Sequence, residues 1–100
     1  MYRHTLEWPP RGPVPLGRVL ITPAALGALA DAGCSGAPLL ERHRRGDWGD
    51  VDAHDRAVND AALVNGSRLL SVYTLRTGQQ VWIITEANRS VTTLLLPSDY

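Results

Sequence analysis

His43 is the one residue in the basic helix end Glu41-Arg-His-Arg-Arg45 that could take or give a proton near neutrality. A general-base role would use that property. The same histidine shares an i, i+3, i+4 stripe with Leu39 and Leu40, which predicts a packed, structural imidazole instead. Just beyond it, Asp47, Asp50, Asp52, Asp55 and Asp60, with His54 among them, make an oxygen-rich stretch of the kind that holds a divalent cation. Their spacing fits no calcium loop and the glycine such a loop needs is missing. Asp52 reads better as a helix cap, and Asp47 and Asp50 as turn residues. We therefore expect no metal and no cofactor. Trp48 stands in Gly46-Asp-Trp-Gly-Asp50, where it either pins a loop to the body or offers an aromatic anchor to a partner. Arg44, Arg45, Asp47, Trp48 and Asp50 form the first candidate surface, and the chemistry it suggests is protein binding.

A second group, Tyr73, Arg76, Trp82, Glu86 and Arg89, falls on or beside strand-like runs. An arginine, a tyrosine and a carboxylate on strands can hold a phosphodiester and move a proton. Cross-strand ion pairing and aromatic packing account for the same residues without chemistry. Ser71 has no base or turn motif next to it in the chain, so a nucleophilic role has no support. No catalytic residue is assigned.

Charge narrows the function classes. All ten basic residues are arginine, balanced by ten acidic residues for a formal net charge of zero. Sequence-independent nucleic-acid binding rests on neutralising phosphates, so it is disfavoured. Mimicry of DNA would need a strongly negative chain and is disfavoured too. A neutral chain has little colloidal repulsion, which favours association. Cys34 is the single cysteine, so no intrachain disulfide forms. The first residues lack the apolar stretch of a signal peptide, and no apolar run approaches the ~18 residues of a membrane span. The expected location is the cytoplasm.

These residues need elements to position them. Pro9, Pro10, Pro13 and Pro15 make residues 1–15 an extended arm, with Trp8 available to anchor it; residues 16–100 form one α+β domain. A strand is predicted over 16–21. Thr22-Pro23 starts a helix over 23–32, closed by Gly33. A second helix covers about 36–45, ending at Gly46. A third follows Asp52 and stops at Gly66. Its buried stripe is either Val58, Ala61 and Ala62 or Asn59, Ala62 and Leu63; the second would bury an amide that needs partners. From Ser67 the period becomes two, with strands over 68–75, 80–87 and 90–96 joined by short turns. The order is β-α-α-α-β-β-β, helices packed on an antiparallel meander. Both sheet faces carry apolar side chains. Another protein, or a second copy of the chain, is the expected cover for the rear face or an edge strand.

Four stretches carry a resemblance. They are Leu16-Gly-Arg18 with Thr22-Pro-Ala-Ala-Leu26; Leu39-Leu-Glu-Arg-His43 with Gly46-Asp-Trp-Gly49; Gly66-Ser-Arg-Leu-Leu-Ser-Val-Tyr73; and Val81-Trp-Ile-Ile-Thr-Glu86 with Arg89-Ser-Val-Thr-Thr93 and Leu96-Pro97. Together they resemble a family of small bacterial "plasmid-related" proteins. The resemblance implies a mobile-element origin and residence in the cytoplasm, and brings no catalytic residue with it. Elements of that kind often encode inhibitors of host defence, anti-CRISPR proteins included. The architecture alone also looks like the small ribonuclease toxins of bacterial toxin–antitoxin pairs, from which this chain departs by being neutral and free of lysine. The leading expectation is a non-enzymatic protein-binding module. The alternative is a toxin-like ribonuclease using His43 or Tyr73 with Arg76 and Arg89.

Overall fold

Thr22 does what its place before a proline suggests: its Oγ1 accepts the Ala25 amide at 3.1 Å and opens helix α1, Pro23–Asp31, in a computed structural model that describes residues 13–100. Gly33, at φ 68°, closes it in the left-handed conformation that glycine tolerates. Helix α2 spans Ala37–Arg44, and α3 spans Ala53–Asn65. Asp52 caps α3 by accepting the Asp55 amide at 2.8 Å. Gly66, at φ 78°, ends it. The strands are β1, Arg18–Ile21; β2, Leu69–Thr74; β3, Gln80–Thr85; and β4, Val91–Leu95. A single 3-10 turn, Pro97–Asp99, follows. Trp8, Pro9 and Pro10 lie outside the described residues.

The sheet runs β1-β4-β3-β2. The last three strands form the expected antiparallel meander. The first strand adds to it in parallel, beside β4, with Arg18 level with Val91 and Ile21 with Leu94. The sheet is therefore mixed rather than purely antiparallel. Gly17 makes that pairing possible. Its φ is 64°, and any Cβ there would collide with the Ser90 carbonyl that receives the Arg18 amide at 2.9 Å.

Period-two alternation assigns the faces. Leu69, Ser71 and Tyr73 of β2, Val81, Ile83 and Thr85 of β3, and Thr92 and Leu94 of β4 all point to the helix side and are buried. Ala28, Leu29 and Ala32 of the α1 region pack on this face with Leu39 and Leu40 of α2. Burying each large apolar side chain contributes roughly 2 kcal/mol. A second cluster gathers Val14, Trp48, Val51, Ala62 and Leu69. Val14 thus belongs to the packed body, its amide donating to the Arg44 carbonyl at 2.8 Å, although the proline pattern places it in the arm.

The third helix settles its own ambiguity in favour of the polar stripe. Asn59 and Ala62 are buried, while Val58 faces out. The Asn59 side chain finds both partners on one residue: its Nδ2 donates to the Leu70 carbonyl at 2.7 Å and its Oδ1 accepts the Leu70 amide at 3.1 Å.

Candidate protein-binding surface

His43 is fully buried and its two ring nitrogens are both engaged. Nδ1 lies 2.6 Å from Ser71 Oγ and Nε2 lies 2.8 Å from Thr85 Oγ1. Thr85 Oγ1 is 2.8 Å from Thr92 Oγ1, which donates to the Leu16 carbonyl at 2.7 Å. A carbonyl can only accept, and this fixes the protons from Thr92 back to the Nε2–H of His43. Thr92 must donate to Leu16, Thr85 to Thr92, and His43 Nε2–H to Thr85; in the neutral ring Nδ1 then accepts from Ser71. The neutral imidazole is thereby held in one tautomer. Burial, with a smaller contribution from the Arg89 charge, pushes its pKa down to about 4. The bonds tie α2 to β2 through one nitrogen and, through the other, by way of β3 and β4 to the segment before β1. Ser71 and Thr85 are as deeply buried as the histidine, so no substrate reaches this pair.

Sequence reading missed the Ser71–His43 contact because the two residues are 28 positions apart. The only signal was parity: Ser71, Thr85 and Thr92 are small hydroxyls at inward-facing positions of three strands.

The Arg44–Asp50 segment is held from within. Trp48 is only 4% exposed, so the aromatic that could have anchored a partner is an internal one. Its Nε1 donates to Asp60 Oδ1 at 3.0 Å, and its ring meets His43 edge-on with centroids 5.7 Å apart. Arg44 and Arg45 both bond Glu41, and their hydrogen bonds hold its carboxyl at about 2. Asp47 accepts from Arg42 at 2.7 Å and from the Gly49 amide, which keeps its carboxyl below the usual range. Arg42 in turn lies 4.7 Å over the Tyr73 ring.

This loop closes one edge of the sheet. The Val72 amide donates to the Trp48 carbonyl at 3.0 Å, and the Asp50 amide to the Val72 carbonyl at 2.6 Å. Gly49 lies so close to Val72 and the Tyr73 ring that a side chain would not fit. Asp50 Oδ2 accepts both the amide and the hydroxyl of Thr74. With Asn59 on Leu70, the outward backbone groups of β2 at residues 70 and 72 are satisfied, as is the Thr74 amide.

The sheet residues singled out earlier do not converge. Tyr73 is buried, and its hydroxyl donates to the Asp47 carbonyl at 2.6 Å; burial pushes its pKa up to about 12. Arg76 Nε donates to the Ala32 carbonyl at 2.7 Å, behind α1. Arg89, a non-glycine residue at φ 59°, spreads its guanidinium over the Ala62 and Ser67 carbonyls at the end of α3. Glu86 is exposed beside the β3–β4 turn, and its backbone carbonyl takes the Arg89 amide. Trp82 lies on the rear face, edge-on to Tyr100 at 5.6 Å, and its Nε1 is buried without an acceptor among the described residues. Three of the arginines are thus spent on carbonyls or on the Tyr73 ring, and both proton-transfer candidates are interior. His43, Tyr73, Arg76 and Arg89 therefore do not meet in one accessible site.

Asp52, His54 and Asp55 bring ligand atoms within 4.8 Å of one another, all exposed. The Asp52 carboxylate is the α3 cap, which explains its position without an ion.

What remains open is the opposite edge. The Arg18 amide donates to the Ser90 carbonyl just before β4 and the Thr22 amide to the Leu94 carbonyl within it, so parallel pairing turns the amides and carbonyls of Val19 and Ile21 outward. They meet no partner among the described residues. All four β1 residues are exposed, with Val19 at 44%, Leu20 at 42% and Ile21 at 39%. The rear face is less open than the apolar pattern suggests. Ile84 and Leu95 are buried there, and Leu70, Val72 and Trp82 half-buried. The two halves of the expected surface, the Arg44–Asp50 loop and an open strand, therefore serve opposite edges. No protein-family model, curated protein or solved structure matches the chain. No helix among the described residues is long and apolar enough to cross a membrane.

Proposed function

We propose that this protein is a non-catalytic protein-binding module that recognises its partner through the open edge of β1. The single observation that carries the reading is the contrast between the two edges. One is sealed by Asn59, Trp48 and Asp50; the other presents Val19, Leu20 and Ile21, with outward backbone groups that meet no partner among the described residues. An exposed apolar edge is a template for strand addition, in which main-chain bonds supply affinity and alternate side chains supply specificity. The resemblance to small plasmid-related bacterial proteins supports a mobile-element setting. An inhibitor of a host defence complex, such as an anti-CRISPR protein, is one form that a module of this kind takes.

Capture experiments test the reading. The wild-type chain and a Val19→Pro variant are used as baits in a bacterial lysate, and the same material is assayed for RNA degradation. Proline removes one outward amide without touching the bonds to β4, and edge strands tolerate it. A protein retained by the wild type and lost from the variant fits the proposal. RNA cleavage with no specific retained protein would reverse it in favour of an enzyme.

A further inference from the structure

The open edge is complementary to itself, and we infer that its occupant is a second copy of this chain, paired antiparallel through β1 about a two-fold axis at Leu20. This rests on the reading of β1 as the binding edge and names its partner. The strand is bounded symmetrically. Gly17, at φ 64°, ends it on one side, and Pro23, which has no amide to donate, ends it on the other. Each lies three positions from Leu20. With the axis at Leu20, Val19 of one copy stands opposite Ile21 of the other. These are the two residues whose amides and carbonyls point outward, so each pair exchanges two hydrogen bonds. Moving the axis to Val19 would put Gly17 opposite Ile21. Moving it to Ile21 would put Val19 opposite Pro23 and lose a donor. The central register is the one that uses the whole strand.

Side chains agree with the same register. Leu20 meets its own copy on the rear face, and Val19 meets Ile21 on the helix side, apolar against apolar on both. Arg18 then stands opposite Thr22 of the other copy. The Thr22 hydroxyl donates to Asp99 Oδ2 at 2.7 Å, which holds a carboxylate at that end of the strand. The Leu96 amide also donates to this oxygen, at 2.9 Å, and the two bonds keep Asp99 ionised. Each Arg18 therefore faces an Asp99 carboxylate across the axis, twice per dimer. The zero net charge adds no opposing repulsion. The product is a continuous eight-stranded sheet, β2-β3-β4-β1 running into its symmetry mate. A four-strand-residue seam is at the small end of interfaces, so the dimer should form in proportion to concentration rather than obligately.

Analytical ultracentrifugation of the full chain across a concentration series tests this. The wild type should shift from monomer to dimer. Val19→Pro should weaken association at least ten-fold while its circular dichroism and melting temperature stay near wild type. Arg18→Asp and Asp99→Arg should each fail to dimerise, since each homodimer would oppose like charges at both ends. Mixed in equal amounts they should form a heterodimer, because both cross-axis pairs become opposite in sign; a merely unfolded variant would give no such rescue. Dimerisation of Val19→Pro at the wild-type concentration would overturn the β1 interface. So would a wild type that stays monomeric throughout. If that monomer still retains a lysate protein that Val19→Pro loses, the second-copy assignment fails and the binding-edge reading survives. If it retains none, both fall.

Discussion

Each ring nitrogen of His43 has one hydroxyl neighbour, and the Leu16 carbonyl at the far end decides which of them donates. The chemistry this suits is structural. Protonating the ring would put a charge where burial disfavours it, so its pKa falls to about 4 from an ordinary 6.5. A depressed histidine pKa means that the unfolded chain binds the proton more tightly. Stability contributed by the neutral ring is complete above about pH 6.5 and is lost as pH falls toward 4, on the order of 3 kcal/mol over the window. Denaturant unfolding at pH 7.5, 6, 5 and 4 should show that decline, and His43→Leu should flatten this step while lowering stability at pH 7.5. An unchanged pH slope in the variant would place the acid sensitivity elsewhere. Trp48 makes a parallel case. Trp48→Ala should cost about 3–5 kcal/mol by opening a cavity between α3 and the sheet, read as a drop in the chemical midpoint. The apolar stripe already placed His43 inside. The flanking Gly and Asp residues gave Trp48 no such sign, because what buries it is α3 and Leu69, contributed from elsewhere in the chain.

Elements in this fold are joined largely by side chains that finish another element's backbone. Asn59 completes Leu70 of β2, Asp50 completes Thr74, and Arg89 completes the end of α3. Asn59→Leu keeps the size of the buried group but orphans the Leu70 amide and carbonyl, so it should cost about 2–4 kcal/mol. It should also accelerate amide exchange along β2. Retention of wild-type stability would mean that water replaces the amide there. Gly66→Ala is a milder test of the left-handed cap. Nothing lies within 4 Å of an added Cβ, so only the φ of 78° resists it, about 1 kcal/mol. The helix boundaries were legible because caps and glycines are local signals. The choice between the two α3 stripes was legible only as an alternative. Deciding it requires β2's unpaired edge, which is a property of the assembled sheet. The parallel docking of β1 was illegible for the same reason: nothing in Arg18–Ile21 announces β4 as its neighbour.

At the scale of the whole molecule, β1 is the element that closes the longest loop. Its pairing joins Arg18 to Val91, and the Thr22–Asp99 bond spans 77 positions. Closing so long a loop has a high entropic cost, and β1 repays it with only one neighbouring strand and four exposed side chains. The first strand should therefore open at lower free energy than the meander, whose middle strand is held on both sides. Hydrogen exchange followed residue by residue should rank the β3 amides slowest and those of Leu20 and Thr22 faster. The Val19 and Ile21 amides face away from β4, so in dilute solution they should exchange close to the rate of an unstructured peptide. Raising the concentration should slow those two amides before any others, since pairing with a second β1 gives them acceptors that the described residues do not. Leu20 and Thr22 should follow, because a strand held on both sides no longer frays. Protection that rises equally over the whole chain would instead signal nonspecific association. Fast exchange at Val19 and Ile21 at every concentration would leave the edge unpaired in solution.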